Sequence, residues 1–95
     1  MKKAIVVTGR VHPGESNSSW IVHGLIQYLL SPTKTANELR KNFIFYIVPM
    51  LNPDGVIAGN HRTSLIGKDS NRSFTNPNPK LNPETFYMRS LLTTL

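Results

Sequence analysis

The sequence predicts an α/β fold with parallel strands. Two short apolar runs, 4–8 and 43–48, are continuous and rich in β-branched and aromatic residues, which is typical of strands buried on both faces. A helical pattern lies between them, giving the strand, helix, strand order of a parallel unit. Sheets usually need more than two strands, and the region from Pro49 to Pro83 is a long loop for a compact domain. We therefore expect these 95 residues to be part of a larger fold or a shortened relative of one.

The helices are predicted from capping residues and helical spacing. The serines and asparagine at 16–19 can cap a helix. An apolar stripe with helical spacing follows: Trp20, Ile21, Gly24, Leu25, Tyr28 and Leu29. The Ser-Pro-Thr segment at 31–33 ends this helix, and a short helical turn is expected over 35–40. After the long loop, residues 84–95 form a final helix that carries Tyr87, Met88, Leu91, Leu92 and Leu95.

Composition narrows the classes of function. The net charge is +6 and the pI is near 10.1, but Lys and Arg are scattered without a basic block, which argues against nucleic-acid binding. An acidic substrate or a plain solvated surface would both account for the charge. There is no cysteine, which excludes disulfides and thiolate metal sites and fits a reducing compartment. No run approaches the roughly 20 apolar residues of a membrane span, and no signal peptide is recognisable. We expect a cytoplasmic protein without membrane contact.

A candidate metal pair follows the first strand. The Pro13-Gly14 turn folds His12 and Glu15 toward each other. An imidazole and a carboxylate are a ligand pair suited to zinc, and a catalytic zinc needs three protein ligands and an open position for water. The motif therefore predicts a metalloenzyme site that lacks one ligand.

Further candidate residues are expected at the same edge of the sheet. Asn52-Pro53-Asp54-Gly55 begins just past the carboxyl end of the second strand, where parallel α/β sheets bind ligands. Arg62 and Arg72 are suited to hold carboxylates through two hydrogen bonds, and Asn71 adds amide donors. Taken singly, these motifs also fit an ordinary turn and solvated arginines. His23 fits a structural or surface histidine on the first helix, and His61 remains ambiguous.

The order and spacing of these motifs resemble the zinc metallocarboxypeptidase family. The matching motifs are H-P-G-E at 12–15, I-V-P-M-L-N-P-D-G-V-I-x-G-N-H-R at 47–62 and G-x-D-x-N-R at 67–72. The similarity is greatest to the cytosolic carboxypeptidase branch, which trims glutamates from tubulin and other proteins. It implies the N-terminal part of a carboxypeptidase-like mixed, mostly parallel sheet flanked by helices. Residues 1–95 are then a partial catalytic domain, either a fragment or a truncated form.

The resemblance also implies a role for each matching residue. His12 and Glu15 would be the first two zinc ligands, and Arg62 would polarise the scissile carbonyl and stabilise its negative charge. Asn71 and Arg72 would bind the terminal carboxylate of the substrate. Asn52 and Asp54 would form the loop or support the ligands.

The sequence departs from the family pattern in three ways. Ser70 replaces an aliphatic residue, and Phe74 stands where a tryptophan is common. The family's third zinc ligand and catalytic glutamate would come after Leu95, so we expect the 95-residue chain alone to be inactive.

The function implied is zinc-dependent hydrolysis of C-terminal residues, with glutamates of acidic, tubulin-like protein tails as substrates. The alternative is a non-catalytic truncated relative that binds acidic tails through Arg62, Arg72 and its basic surface.

Overall fold

The computed structural model describes all residues from 1 to 95 and contains two strands, four α-helices and one 3-10 turn. Strand β1 spans Lys3–Thr8 and β2 spans Phe43–Val48. The helices are α1 (Ser16–Leu29), α2 (Lys34–Asn42), α3 (Pro53–Ala58) and α4 (Pro83–Thr94), and the 3-10 turn covers Ser70–Arg72. None of the helices is long and apolar enough to span a membrane.

The two strands pair in parallel, as predicted. The register runs from Lys3 opposite Phe43 to Thr8 opposite Val48. Helices α1 and α2 form the crossover between them. Because parallel strands end at the same edge of a sheet, the segments that follow Thr8 and Val48 emerge side by side.

Helical structure extends further than the sequence predicted. Helix α2 has nine residues rather than a short turn, because the Thr33 hydroxyl accepts a hydrogen bond from the Ala36 N–H and caps it. Helix α3 lies within the region predicted as loop. The Asn52 side chain accepts from the Gly55 N–H, and Pro53 occupies the first turn. The Asn-Pro pair therefore starts a helix here instead of making a plain turn.

The predicted packing face of α1 is correct only in part, because Leu29 of the predicted stripe is buried while other members are exposed. Trp20 is 74% and Ile21 67% exposed, whereas Val22 and Leu29, seven residues apart, are buried. Val22 packs on Gly9, where its Cγ2 would lie 3.1 Å from a β-carbon added to that glycine. The predicted cap is also wrong, because the helix starts at Ser16 with Glu15 as its N-cap and without a side-chain cap bond.

The interior of this part of the molecule is small. Only five apolar residues are buried: Val22, Leu29, Ala36, Leu51 and Met88. No residue of either strand is buried, although the sequence predicted strands covered on both faces. The largest groove, about 440 Å³, lies between the end of β2 and α4 and is mostly apolar, and it does not include His12, Glu15 or Arg62. Such strands and grooves need cover that these 95 residues do not supply.

We therefore expect the isolated 95-residue polypeptide to aggregate or to be only partly ordered, since its apolar surfaces and strand edges are open. Thermal melting followed by circular dichroism and light scattering measures this. A sharp, reversible two-state melt of a monomer would contradict it.

Substitutions at one exposed and one buried position of α1 test which face of the helix packs on the rest of the chain. Trp20→Ser should reduce aggregation without loss of helix content, because the indole is exposed. In a longer form of the protein that unfolds cooperatively, Val22→Ser should lower the free energy of unfolding by about 2 kcal/mol, because it buries a hydroxyl and leaves a cavity. Equal effects of the two variants would be inconsistent with this packing.

Candidate metal centre

Hydrogen bonds continue past the ends of β1 and β2 and place His12 at the edge of the sheet. The Gly9 N–H donates to the Val48 carbonyl over 2.9 Å, and the Leu51 N–H donates to the Gly9 carbonyl over 2.9 Å. The Asn52 N–H then donates to the Arg10 carbonyl over 3.1 Å. The segments after β1 and β2 therefore remain attached to each other where the predicted site begins.

The predicted ligand pair lies together on the turn after β1. Its closing hydrogen bond runs from the Glu15 N–H to the His12 carbonyl over 3.2 Å. His12 Nδ1 lies 3.3 Å from Glu15 Oε2, and His12 is buried, with 7% of the residue exposed. The Pro13-Gly14 turn thus places the two side chains as the sequence predicted.

A second carboxylate lies within hydrogen-bond distance of the other ring nitrogen of His12. Its Nε2 lies 3.1 Å from Asp69 Oδ1. A neutral imidazole carries a single N–H, so it can donate to only one of the two carboxylates. The contact with the other carboxylate then requires a second proton or a cation between the two groups.

This arrangement fits a zinc ligand pair. Metal-binding histidines commonly donate their other N–H to a carboxylate, which fixes the tautomer and the ring orientation. With Nε2 donating to Asp69, Nδ1 presents its lone pair toward Glu15. Tetrahedral zinc with ligands at its usual distances would hold its donor atoms about 3.4 Å apart, close to the 3.3 Å between Nδ1 and Oε2.

Asp69 also holds Arg62. The Arg62 Nε donates to Asp69 Oδ2 over 2.8 Å, and the Asn71 N–H donates to Oδ1 over 2.9 Å. Desolvation favours the neutral acid, but the hydrogen bonds from Asn71, Arg62 and His12 outweigh it and lower the pKa of Asp69 below its ordinary value. Asp69 is therefore an ionised group that links the candidate metal ligand to the candidate carbonyl-polarising arginine.

The loop that carries Arg62 is pressed against the ligand turn. The Gly14 N–H donates to the His61 carbonyl over 2.7 Å. A β-carbon on Gly14 would lie 2.7 Å from that oxygen, and one on Gly55 would lie 2.4 Å from Pro13 Cγ. Only glycine allows backbone to approach this closely. These two glycines thus let the Arg62 loop and α3 pack onto the turn.

The predicted carboxylate-binding residues lie next to Asp69. Asn71 and Arg72 belong to the 3-10 turn and are both exposed. The turn is anchored by Ser70, which is fully buried and donates its hydroxyl proton to Glu84 Oε1 over 2.6 Å. The serine that departs from the family pattern therefore has a polar partner on α4.

The other candidates lie outside this cluster or support it. Asn52 is 2% exposed and its amide reaches the Val11 carbonyl at 3.4 Å, so it supports the segment before His12. Asp54 is exposed in the first turn of α3. His23 is exposed on α1, where its ring meets the edge of Trp20. His61 contributes its backbone carbonyl to Gly14, and its ring lies beside that glycine.

No group of three or more His, Cys, Asp or Glu side chains is arranged to hold a metal ion. The structure thus brings together His12, Glu15, Asp69 and Arg62, and it does not complete a three-ligand site. Sequence reasoning treated Asp69 only as part of a turn and missed its contact with His12. The sequence offered only a general signal: a ligand histidine usually has a carboxylate or carbonyl partner, but spacing does not identify a partner 57 positions away.

Comparisons with known proteins identify the family. The family model described as zinc carboxypeptidase matches residues 1–92. Mouse cytosolic carboxypeptidase 1 is 54% identical over 88 residues, which are 93% of this chain and 7% of that protein. The chain therefore spans less than a tenth of the length of this relative.

Solved structures agree with this assignment and confirm the predicted carboxypeptidase-like fold. A putative carboxypeptidase A from Shewanella denitrificans superposes with a TM-score of 0.95 at 38% identity, covering 98% of this chain and 25% of that one. A metallo-carboxypeptidase from Pseudomonas aeruginosa, solved with (2-guanidinoethylmercapto)succinic acid, gives a TM-score of 0.91 at 33% identity, covering 97% and 25%. The chain belongs to the zinc carboxypeptidase family, and its relatives include the cytosolic carboxypeptidases.

Proposed function

We propose that the protein carrying this chain is a cytosolic zinc-dependent carboxypeptidase that removes C-terminal glutamates from acidic protein tails such as that of tubulin. The observation that carries the proposal is the placement of His12 between two carboxylates. Asp69 holds one ring nitrogen, and the other faces Glu15 at 3.3 Å. A carboxylate on the second ring nitrogen is a common support of a zinc-binding histidine.

The mechanism follows from the roles these side chains can fill. When bound by His12, Glu15 and a third ligand, zinc would activate water and polarise the scissile carbonyl. The Arg62 Nε binds Asp69, and its Nη1 lies 3.9 Å from Glu15 Oε1, beyond hydrogen-bond distance. The Nη donors can therefore stabilise the negative charge that develops on the carbonyl oxygen. Because Asp69 fixes the guanidinium beforehand, little reorganisation is needed during the reaction.

The general base must come from elsewhere in a longer form of the protein. Glu15 serves as a ligand in this proposal. Both oxygens of Asp69 accept hydrogen bonds, and its pKa is lowered, so it is a poor proton acceptor. We propose that a third ligand and a catalytic glutamate are supplied from outside these 95 residues.

The acidic substrate is supported by the charge of the chain and by an exposed arginine beside the site. The chain has 11 Lys and Arg against five Asp and Glu. Arg72 is exposed beside the site, where its guanidinium can hold a terminal carboxylate.

A second candidate function is a non-catalytic protein that binds acidic tails through Arg62 and Arg72. The observation that favours it is the absence of a three-ligand group among the described residues.

Zinc titration of the 95-residue chain tests the metal assignment. Two protein ligands should bind zinc only weakly, because the remaining positions are filled by water. Calorimetry should show this weak binding lost in His12→Ala and kept in His23→Ala, since His23 lies on the exposed face of α1. Tight binding, removed only by changing His23 or His61, would refute the assignment.

Release of glutamate from a glutamate-rich peptide tests the catalytic assignment. The 95-residue chain should release none, whereas a longer form containing the family's later motifs should be active. In that form, Arg62→Ala should lower kcat about a hundredfold, because it removes a donor to the developing charge. Arg72→Ala should act mainly on KM, because its contact exists in both the ground state and the transition state.

Lys41→Ala is the matched control, because Lys41 lies on α2 and pairs with Glu38. This variant should leave kcat and KM unchanged. Zinc-dependent turnover by the 95-residue chain itself would overturn the need for outside residues. An inert long form that still binds zinc would favour the binding function.

A further inference from the structure

Arg10 has an unusual backbone conformation next to the candidate metal centre. Its φ is 53°, the only positive φ among the non-glycine residues. Arginine rarely adopts this left-handed conformation, and such outliers persist only where the surrounding contacts hold them. The residue lies between β1 and His12, two positions before the candidate ligand.

The Arg10 guanidinium joins the ligand turn to α1. Its Nε donates to the Pro13 carbonyl over 2.9 Å, and its Nη1 donates to Ser19 Oγ over 3.0 Å. Pro13 is part of the turn between the two candidate ligands, and Ser19 lies in the first turn of α1. Two donors in a fixed fork can hold these two acceptors at once, which a lysine cannot do in the same way.

The Arg10 backbone is tied to the other side of the same turn. Its N–H donates to Ser18 Oγ over 3.0 Å, and the Ser18 hydroxyl donates to the Glu15 carbonyl over 2.8 Å. The Arg10 carbonyl accepts from the Asn52 N–H over 3.1 Å. The side chain of Arg10 therefore constrains the turn at Pro13, and its backbone constrains the turn at Glu15 through Ser18.

We infer that Arg10 is a positioning residue for the metal centre, holding the turn so that His12 Nδ1 and the Glu15 carboxylate stay at ligand separation. It contacts neither of the two ligating groups directly and acts through Pro13, Ser18 and Ser19. This inference rests on the proposed zinc site and adds to it a residue outside the H-P-G-E motif.

The test measures zinc affinity of the longer form of the protein by competition with a chelator. Arg10→Gly removes the guanidinium and leaves a residue that accepts φ near 53°, so it separates the side chain from the backbone conformation. It should weaken zinc binding about tenfold, the lower end of the effect of supporting residues around metal sites. Circular dichroism should show an unchanged fold.

Arg40→Gln is the matched control, because Arg40 also donates to backbone carbonyls, those of Leu29 and Ser31, at the other end of α1. It should lower the melting temperature and leave zinc affinity unchanged. Arg10→Lys should recover only part of the affinity. KM for a glutamate peptide at saturating zinc should not change in Arg10→Gly, since Asn71 and Arg72 are intact.

The outcomes distinguish this inference from the proposed function. If the wild-type protein binds zinc and the folded Arg10→Gly variant binds it with the same affinity, the role of Arg10 is overturned and the proposed function is unaffected. An equal loss in Arg40→Gln would overturn it too, because the effect would then be general destabilisation. If Arg10→Gly does not fold, Ser19→Ala decides: it should weaken zinc binding to a smaller extent, and no change would overturn the inference. A wild-type protein that binds no zinc would overturn both.

Discussion

The candidate site depends on one carboxylate placed between two basic side chains. Asp69 accepts from His12 Nε2 at 3.1 Å with one oxygen and from Arg62 Nε at 2.8 Å with the other. His12 lies 57 positions from Asp69 in the chain, whereas Arg62 lies only seven positions before Asp69, in the segment between α3 and the 3-10 turn. Replacing Asp69 by an apolar group would leave the buried His12 without its partner and Arg62 without its anchor. Because charge-assisted hydrogen bonds of this kind are strong, one residue sets the relative position of both groups.

Close backbone packing makes this arrangement possible. The Arg62 loop reaches the ligand turn because Gly14 and Gly55 have no β-carbon, and a methyl group at either would collide with neighbouring atoms at 2.7 Å or less. Arg10 braces the same turn from the side of α1. The turn is therefore constrained on several sides although the surrounding sheet is largely uncovered. A rigid local site within an incompletely covered sheet is consistent with a chain that spans about a quarter of the related solved structures.

Sequence patterns predicted the parallel strand pair and the turn that unites His12 with Glu15, because both depend on local residue preferences. They did not predict α3, since Asn-Pro and Asp-Gly are turn signals that here serve as a cap and a first helical turn. They placed only part of the packing face of α1 correctly: Leu29 is buried, whereas Trp20 and Ile21 are exposed and Val22, outside the predicted stripe, packs on Gly9. The contact of Asp69 with His12 spans 57 positions and follows from the tertiary fold. Local spacing cannot reveal a contact of that range.

We propose that His12 and Glu15 bind zinc while Asp69 holds the opposite ring nitrogen. The most direct test is anomalous diffraction at the zinc absorption edge, on crystals of the longer form of the protein. We expect a peak about 2.1 Å from His12 Nδ1 and within bonding distance of the Glu15 carboxylate, with Nε2 still hydrogen-bonded to Asp69. A zinc peak on Nε2, or one away from both residues, would contradict it.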